Sequence, residues 1–304
     1  MDKIYIQVPA TSANCGPGYD SLGVACTLYN TLSFEILPEE AGLMLEAEGE
    51  GSEYLKASAN NLVFKSFFAV WNFVQPDNAI GLKITMENNI PMSRGLGSSS
   101  SAIVAGVYAA NVLSGSRLSQ EELLNFATEI EGHPDNVAPA LLGGFTVSYM
   151  EGAKAHSLSF KPALPLKLIA AVPEQRLATA LARKAIPKEV AHVDAVFNVS
   201  RASLLIASLM SGSAGHLAAA LEDKLHQPYR AHLINGLQDV FNAARDAGAY
   251  NAIISGAGST ILAYAPADAE HEKIAAAMQQ AFIANGQSCR THILDIDYQG
   301  VRQL

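Results

Sequence analysis

The chain has 304 residues, 49% of them hydrophobic and only 16% charged, so it can fill a core and does not read as a disordered chain. At roughly 100–200 residues per domain, two domains are the expectation. Twenty-nine acidic residues against 20 Lys and Arg leave a net charge of −9, which argues against a nucleic-acid or anionic-membrane partner while leaving room for a small anion held by local donors.

Taken in chain order, residues 3–8 alternate as a strand does, 32–37 are strand-like and 43–48 alternate again. Residues 62–73 place Val63, Phe67, Val70 and Trp71 at helical spacing, and 82–86 return to strand character. A helix is expected from Ser98 to about Leu113, and Ser119 with Glu122 forms a capping box for the next. Residues 145–150 are β-rich. The polar stretch 152–164 carries Pro162 and marks the expected division, with domains at 1–155 and 156–304. Beyond it come a strand at 166–172, helices near 194–210 and 233–247, strands at 252–254 and 261–265, a helix over 267–285 and a last strand at 291–296. Such alternation predicts α+β or α/β layers.

The longest apolar stretch, 102–113, is broken by Asn111 and falls short of the ~18 residues of a membrane span. Met1-Asp2-Lys3-Ile4 begins a strand rather than a secretory leader, and Cys15, Cys26 and Cys289 are odd in number with no CxxC spacing. A cytoplasmic protein with reduced thiols is the expectation.

Four segments carry chemistry. Residues 91–101 read Pro-Met-Ser-Arg-Gly-Leu-Gly-Ser-Ser-Ser-Ser and open an apolar helix. Glycines permit close backbone approach, and the free amides of a helix start, with serine hydroxyls beside them, suit phosphate oxygens. There is no Gly-Lys-[Ser/Thr], so this is not a Walker A loop, and Ser100 replaces the third glycine of a dinucleotide fingerprint. Residues 8–20 end a strand in a tight polar loop, where Asn14 suits a hydroxyl and Asp20 an ammonium. Residues 129–139 read as a loop in which Glu129, Glu131 or Asp135 could hold Mg²⁺, and His133 is a general base by type. Residues 255–260, Ser-Gly-Ala-Gly-Ser-Thr, read either as a hairpin-like turn or as a second phosphate-facing loop.

In order and spacing these segments resemble the GHMP kinase superfamily. Pro-x-x-x-Gly-Leu-Gly-Ser-Ser at 91–99 carries the superfamily likeness. Ser-Ala-Asn-x-Gly-Pro-Gly-Tyr-Asp-Ser-Leu-Gly at 12–23 and Glu-Gly-His-Pro-Asp-Asn-Val-Ala-Pro at 131–139 are similar to the homoserine kinases within it. The resemblance implies an α+β fold, with an N-terminal domain like ribosomal S5 domain 2 and a ferredoxin-like C-terminal domain. It implies transfer of the ATP γ-phosphate to the side-chain hydroxyl of L-homoserine, as in threonine biosynthesis, with Mg²⁺. ATP would lie on Pro91, Arg94, Gly95, Leu96, Gly97, Ser98, Ser99, Ser100 and Ser101, with Asn60, Asn61 and Val63 beside the adenine. Ser99 (or Ser98) and Glu131 would ligate the metal. Asn14, Asp20, Asn136, Thr179, Arg183, Arg230 and Gly256 would form the homoserine site, with Asn14 and Asn136 facing the reacting hydroxyl and Arg183 and Arg230 as carboxylate clamps.

Mevalonate-kinase-like members carry an aspartate base where Asn136 stands. The implied reaction at Ser99, Glu131 and Asn136 therefore has no dedicated base, with Asp135 as the rival. Cys15 replaces a usual aliphatic residue and introduces a thiol open to thiol reagents. A homodimer is common in the resembling family. The competing expectations are another alcohol acceptor, such as mevalonate or shikimate, and a non-catalytic metabolite sensor.

Overall fold

The computed structural model describes residues 3–304; Met1 and Asp2, at the head of the expected first strand, lie outside the described residues. Strands β1 (Lys3–Ala13) and β2 (Leu22–Leu37) form a long antiparallel pair whose register shifts between Pro9 and Ala10, the kind of bulge that lets a strand carry proline. Burial alternates along β1 only to Val8; from there to Ala13 every side chain is buried. The first part of the strand has one wet face, whereas the second is covered on both.

After β3 (Leu43–Gly49) and α1 (Leu62–Val74), β4 (Gly81–Asn88) pairs antiparallel with β2 and parallel with β3. Helices α2 (Ser98–Leu113), α3 (Gln120–Glu131) and α4 (Pro134–Leu142) follow, and then the hairpin of β5 (Phe145–Glu151) and β6 (Lys154–Phe160), which joins β2 at Leu22–Val24. The expected capping box is formed, with Ser119 and Glu122 exchanging bonds at the start of α3. Ile4, Ile6, Leu32 and Phe34 of the sheet meet Phe64, Phe67, Val104 and Val107 of α1 and α2 in one core.

The second half consists of β7 (Leu166–Pro173), α5 (Thr179–Lys184), α6 (His192–Ser211), α7 (Leu217–Ala220), α8 (Gln227–Arg230), α9 (Leu237–Asp246), β8 (Asn251–Ile254), β9 (Ile261–Pro266), α10 (His271–Ala284) and β10 (Cys289–Leu294). Its sheet runs β10-β7-β9-β8, antiparallel throughout. Numbered within this half, the order is 4-1-3-2, that of a ferredoxin-like βαββαβ unit. The chain then returns to the first sheet, where β11 (Arg302–Gln303) pairs with β1. The expected α+β architecture is borne out.

Three local expectations need correction. The polar stretch 152–164, expected to mark the division, is largely strand β6 at 154–160, with exposed polar residues on an edge strand. The proposed cut at 155/156 falls inside that strand, so we place the division between Phe160 and Leu166. The segment expected as an acidic loop after Glu131 is largely helix α4, which Pro134 opens at its first turn, where a missing N–H costs nothing. Finally, α6 is 20 residues long and apolar enough, by length and composition, to cross a bilayer, which the sequence reading missed by stopping at 102–113. In the fold it lies against the second half, burying Asn198, Leu205, Ser208 and Leu209.

Phe67 is fully buried, with ring centroids 5.9 Å from Phe34 and 5.7 Å from Trp71. Phe67→Ala should destabilise the first half by about 3–5 kcal/mol, read as an earlier urea midpoint in the emission of Trp71, the chain's single tryptophan. A loss below about 1 kcal/mol would show that this aromatic stack is not the core.

Candidate active site

The loop before α2 is clamped from behind. Thr11 N–H donates to the Leu96 carbonyl at 3.1 Å, Thr260 N–H to Arg94 at 3.0 Å and Ser255 Oγ to Gly95 at 2.6 Å. Gly95 and Gly97 have φ of +82° and +71°, and a Cβ would stand 2.1 Å from the Ser255 carbonyl oxygen at Gly95 and 1.9 Å from Thr11 Oγ1 at Gly97. Both positions therefore require glycine for conformation and for space. With three consecutive carbonyls committed to the protein, the start of α2 opens on a narrow cavity lined by Gly95, Gly97, Ser98, Ser99 and Ser100. The free first-turn amides of that helix are an anion site by construction.

Glu131, the last residue of α3, faces this helix start: Ser99 Oγ donates to its Oε2 at 3.1 Å and Ser100 Oγ to its Oε1 at 2.9 Å. A carboxylate and two hydroxyls form a hard oxygen set, which fits Mg²⁺. Ser98, Ser99 and Thr179 also line a neighbouring cavity of about 490 Å³, together with Asn60, Asn61, Val63, Tyr54, Met86 and Met92. Asn61 caps α1 by accepting from the Val63 N–H at 3.1 Å. The two cavities thus share the serines, one flank lined by apolar side chains and the other by charge.

Three expected nucleotide residues point elsewhere. Arg94 is buried, and its guanidinium donates to the carbonyls of Met92, Pro173 and Glu174, tying the loop to β7 and the residue after it. Leu96 is in the core shared by both halves, and Ser101 bonds Asn30 and the Ser98 carbonyl within the protein. The sequence showed a charge and a hydroxyl; their direction depended on packing.

Opposite the serines lies the loop after β1. Asn14, Cys15, Gly16 and Asp20 all have positive φ, a concentration of left-handed residues that only surrounding contacts can hold. Asn14 holds it from within, its Nδ2 donating to the Gly256 carbonyl at 2.9 Å and its Oδ1 accepting from the Asp20 N–H at 3.0 Å. Arg183 of α5 grips Asp20 through both terminal nitrogens, at 3.1 and 2.9 Å, and touches the Tyr19 hydroxyl at 3.2 Å. Arg230 of α8 donates from Nε to the Ala182 carbonyl and from Nη1 to Gly256 and His226; its Nη2 makes no hydrogen bond among the described residues. That nitrogen is the free donor of a guanidinium lining the cavity.

Asn136 is held by Thr11 Oγ1, which donates to its Oδ1 at 2.8 Å, so the amide turns its N–H₂ away as the free group. Asp135 is buried and bonded to His133 Nδ1. Burial disfavours the His133 imidazolium, but the Asp135 hydrogen bond and the charges of Asp135 and Glu131 outweigh it, and the pKa rises above the usual value. Asp20, His133 and Asp135 bring three ligand-type atoms within 4.8 Å of one another. They close on themselves and on Arg183 as ion pairs, unlike the serine–Glu131 set.

Residues 61–144 match the GHMP kinases N terminal domain and residues 205–284 the GHMP kinases C terminal domain. A homoserine kinase from Picosynechococcus sp. is 43% identical over 99% of both chains. The chain belongs to the homoserine kinases of the GHMP kinase family. A crystal structure of homoserine kinase from Cytophaga hutchinsonii superposes with a TM-score of 0.90 at 29% identity, covering 100% of this chain and 98% of that one. L. major mevalonate kinase, solved with R-mevalonate, shares the fold alone, with a TM-score of 0.70 at 17% identity over 98% and 95% of the chains.

Sequence reasoning missed Thr11, Tyr19, Ser93, Asn198 and His226, whose parts depend on contacts up to 210 residues apart. It also overrated Cys15, whose thiol is buried and pushed up to about 12 by that burial, so thiol reagents have neither access nor thiolate there. Asp135→Asn should lower the His133 pKa measured by NMR titration, because it removes two of the three contributions that raise it and leaves the Glu131 charge alone against burial. By linkage, the stability that the raised pKa supplies is present below the unfolded histidine value of ~6.5 and is lost as pH rises through the folded one. Wild type should therefore lose that increment on going from mildly acid to alkaline pH, and Asp135→Asn should not; identical profiles would refute the coupling.

Proposed function

We propose that the chain transfers the γ-phosphoryl group of ATP to the side-chain hydroxyl of L-homoserine, releasing ADP, O-phospho-L-homoserine and a proton. The observation that carries the acceptor is the Asp20–Arg183 ion pair inside the cavity, with Arg230 Nη2 free beside it. A zwitterionic amino acid replaces that pair without leaving a charge unpaired: its ammonium takes Asp20, and its carboxylate takes Arg183 and the free nitrogen of Arg230. Mevalonate or shikimate would draw Arg183 from Asp20 and offer no cation in return.

The start of α2 receives the phosphates through its amides and the hydroxyls of Ser98, Ser99 and Ser100, while Asn60, Asn61 and Val63 flank the adenine side. Ser99 and Glu131 would hold Mg²⁺, which neutralises charge on the phosphates when bound. Asn136 aims an amide donor toward the reacting oxygens and cannot take a proton. Asp135 and His133 Nδ1 are occupied by each other. The hydroxyl proton therefore passes to an oxygen of the phosphoryl group in transfer, which a loose transition state tolerates because positioning and charge neutralisation supply most of the catalysis.

A purified sample assayed with ATP and L-homoserine, mevalonate or shikimate should give product with homoserine. ATP binding without product on homoserine would replace this reading with nucleotide binding alone. Asp20→Asn should raise the homoserine KM about 10- to 100-fold, the worth of a charge-assisted bond, and leave the ATP KM within about twofold. Ser99→Ala should instead lower kcat by about tenfold or more with little change in homoserine KM.

A further inference from the structure

His226 is fully buried between the two halves of the substrate site. On one side its Nε2 lies 2.8 Å from the Gly16 carbonyl, in the left-handed loop that carries Asn14 and Asp20; on the other its Nδ1 lies 3.2 Å from Arg230 Nη1. A carbonyl only accepts and a guanidinium only donates. Those two partners admit one state of the ring, neutral with the proton on Nε2. We propose that His226 is a positioning residue for the acceptor site, a neutral bridge whose Nε2–H tautomer ties the Gly16 loop to the Arg230 clamp. This inference rests on the homoserine reading above.

The surroundings support a bridge over a filler. Asn198 of α6 donates to the adjoining Pro17 carbonyl at 2.7 Å and accepts from the Lys224 N–H at 2.8 Å, so the successive carbonyls of Gly16 and Pro17 are both held by side chains of the second half. Arg230 Nη1 has two hydrogens, one spent on Gly256 and one on His226, which leaves Nη2 for a ligand. Protonation would place a second N–H, and a charge, against Arg230 Nη1, and the bond that aims the clamp would be lost. Every charged neighbour enters this balance. Asp223, whose side chain is fully buried and lies 3.6 Å from Nε2, favours the imidazolium, as does the more distant Asp20, whereas Arg230 opposes it. The Tyr19 ring, centroid 5.5 Å away, packs on the imidazole. Burial and Arg230 prevail over Asp223, and the pKa is lowered from the usual value. Three backbone N–H groups, of Leu225, His226 and Gln227, already occupy the Asp223 carboxylate.

Sign follows from linkage. With a folded pKa below the unfolded ~6.5, the bridge is intact at neutral pH, and its contribution declines as pH falls through the range between the two values. Homoserine binding should weaken as pH falls through and below the folded pKa, by up to tenfold per pH unit, while ATP binding does not.

The experiment combines a spectroscopic and a kinetic arm on the full chain. In ¹⁵N-histidine spectra of free wild type at pH 7.5, the resonance that disappears in His226→Gln should show a protonated Nε2 and an unprotonated Nδ1. An Nδ1–H tautomer or an imidazolium would overturn the proposal. In steady-state kinetics, His226→Ala should raise the homoserine KM about tenfold with the ATP KM unchanged. His226→Gln, which restores an N–H near the Nε2 position without a titrating ring, should recover most of that loss and flatten the acid rise in homoserine KM. An acid rise as steep in His226→Gln as in wild type, or equal increases in both KM values for His226→Ala, would also overturn it. The tautomer is read without substrate, so it decides the His226 assignment even if homoserine proves not to be the acceptor.

Discussion

The contact on which the rest of the structure depends is that between the backbone at Gly95 and the turn of residues 255–260. The Gly95 and Ser255 backbones approach so closely that no side chain fits between them, and Ser255 Oγ seals the contact by donating to the Gly95 carbonyl. Through it the β8–β9 hairpin of the second sheet holds the loop that opens α2 in the first half. The turn at 255–260 is therefore a hairpin connection that also supports the phosphate loop from behind, and Gly256 gives its carbonyl to Asn14 and Arg230. Of the two sequence alternatives, the hairpin connection is the one the strand pairing bears out. Neither half forms the site alone: the serines and Glu131 come from the first and the guanidiniums from the second.

This arrangement explains how a chain of net charge −9 offers a place for a triphosphate. Among the described residues no free guanidinium faces the start of α2, since Arg94 donates to three carbonyls and lies 4.0 Å from Glu50. Anion recognition there falls to amides, hydroxyls and an oxygen set suited to a cation, all short-range and insensitive to overall charge. The free cationic group belongs to the opposite wall, where Arg230 and Arg183 stand with Asp20. The division suits the two reactants proposed above, a polyanion and a zwitterion.

Much of this was legible in the sequence, because local patterns have local causes. The helix from Ser98, the capping box at Ser119 and the strands around 43 and 166 follow from periodicity and end signals. Ser99, Glu131, Asn14 and Asp20 sit in segments whose residue types already fit a phosphate or an amino acid, whereas Arg183 was pointed to by the family resemblance alone. What failed has non-local causes. Nothing in Arg94 itself tells whether its side chain faces the phosphates or Pro173, and β6 is polar because it is an edge strand and not because the division lies there. The helix after Pro134 was hidden by the acids and His133 that precede its apolar face, and Thr11 acts through partners far along the chain, Asn136 being 125 residues away.

The acceptor loop illustrates how such non-local contacts are used. Four residues with positive φ, three of them not glycine, cost of order 1–2 kcal/mol each for the non-glycine members, so an isolated chain would not keep this shape. Three long-range bonds replace the missing local preference: Asn14 to Gly256, Asn198 to Pro17 and His226 to Gly16. Each of them comes from or ends on the second half. The strain is thus held by contacts with the second half, one of them on the 255–260 turn that backs the Gly95 loop, and the geometry of the acceptor site is coupled to the docking of the two halves. A disturbance at β8–β9 would reach both reactants at once, through Gly95 on the one side and Gly256 on the other.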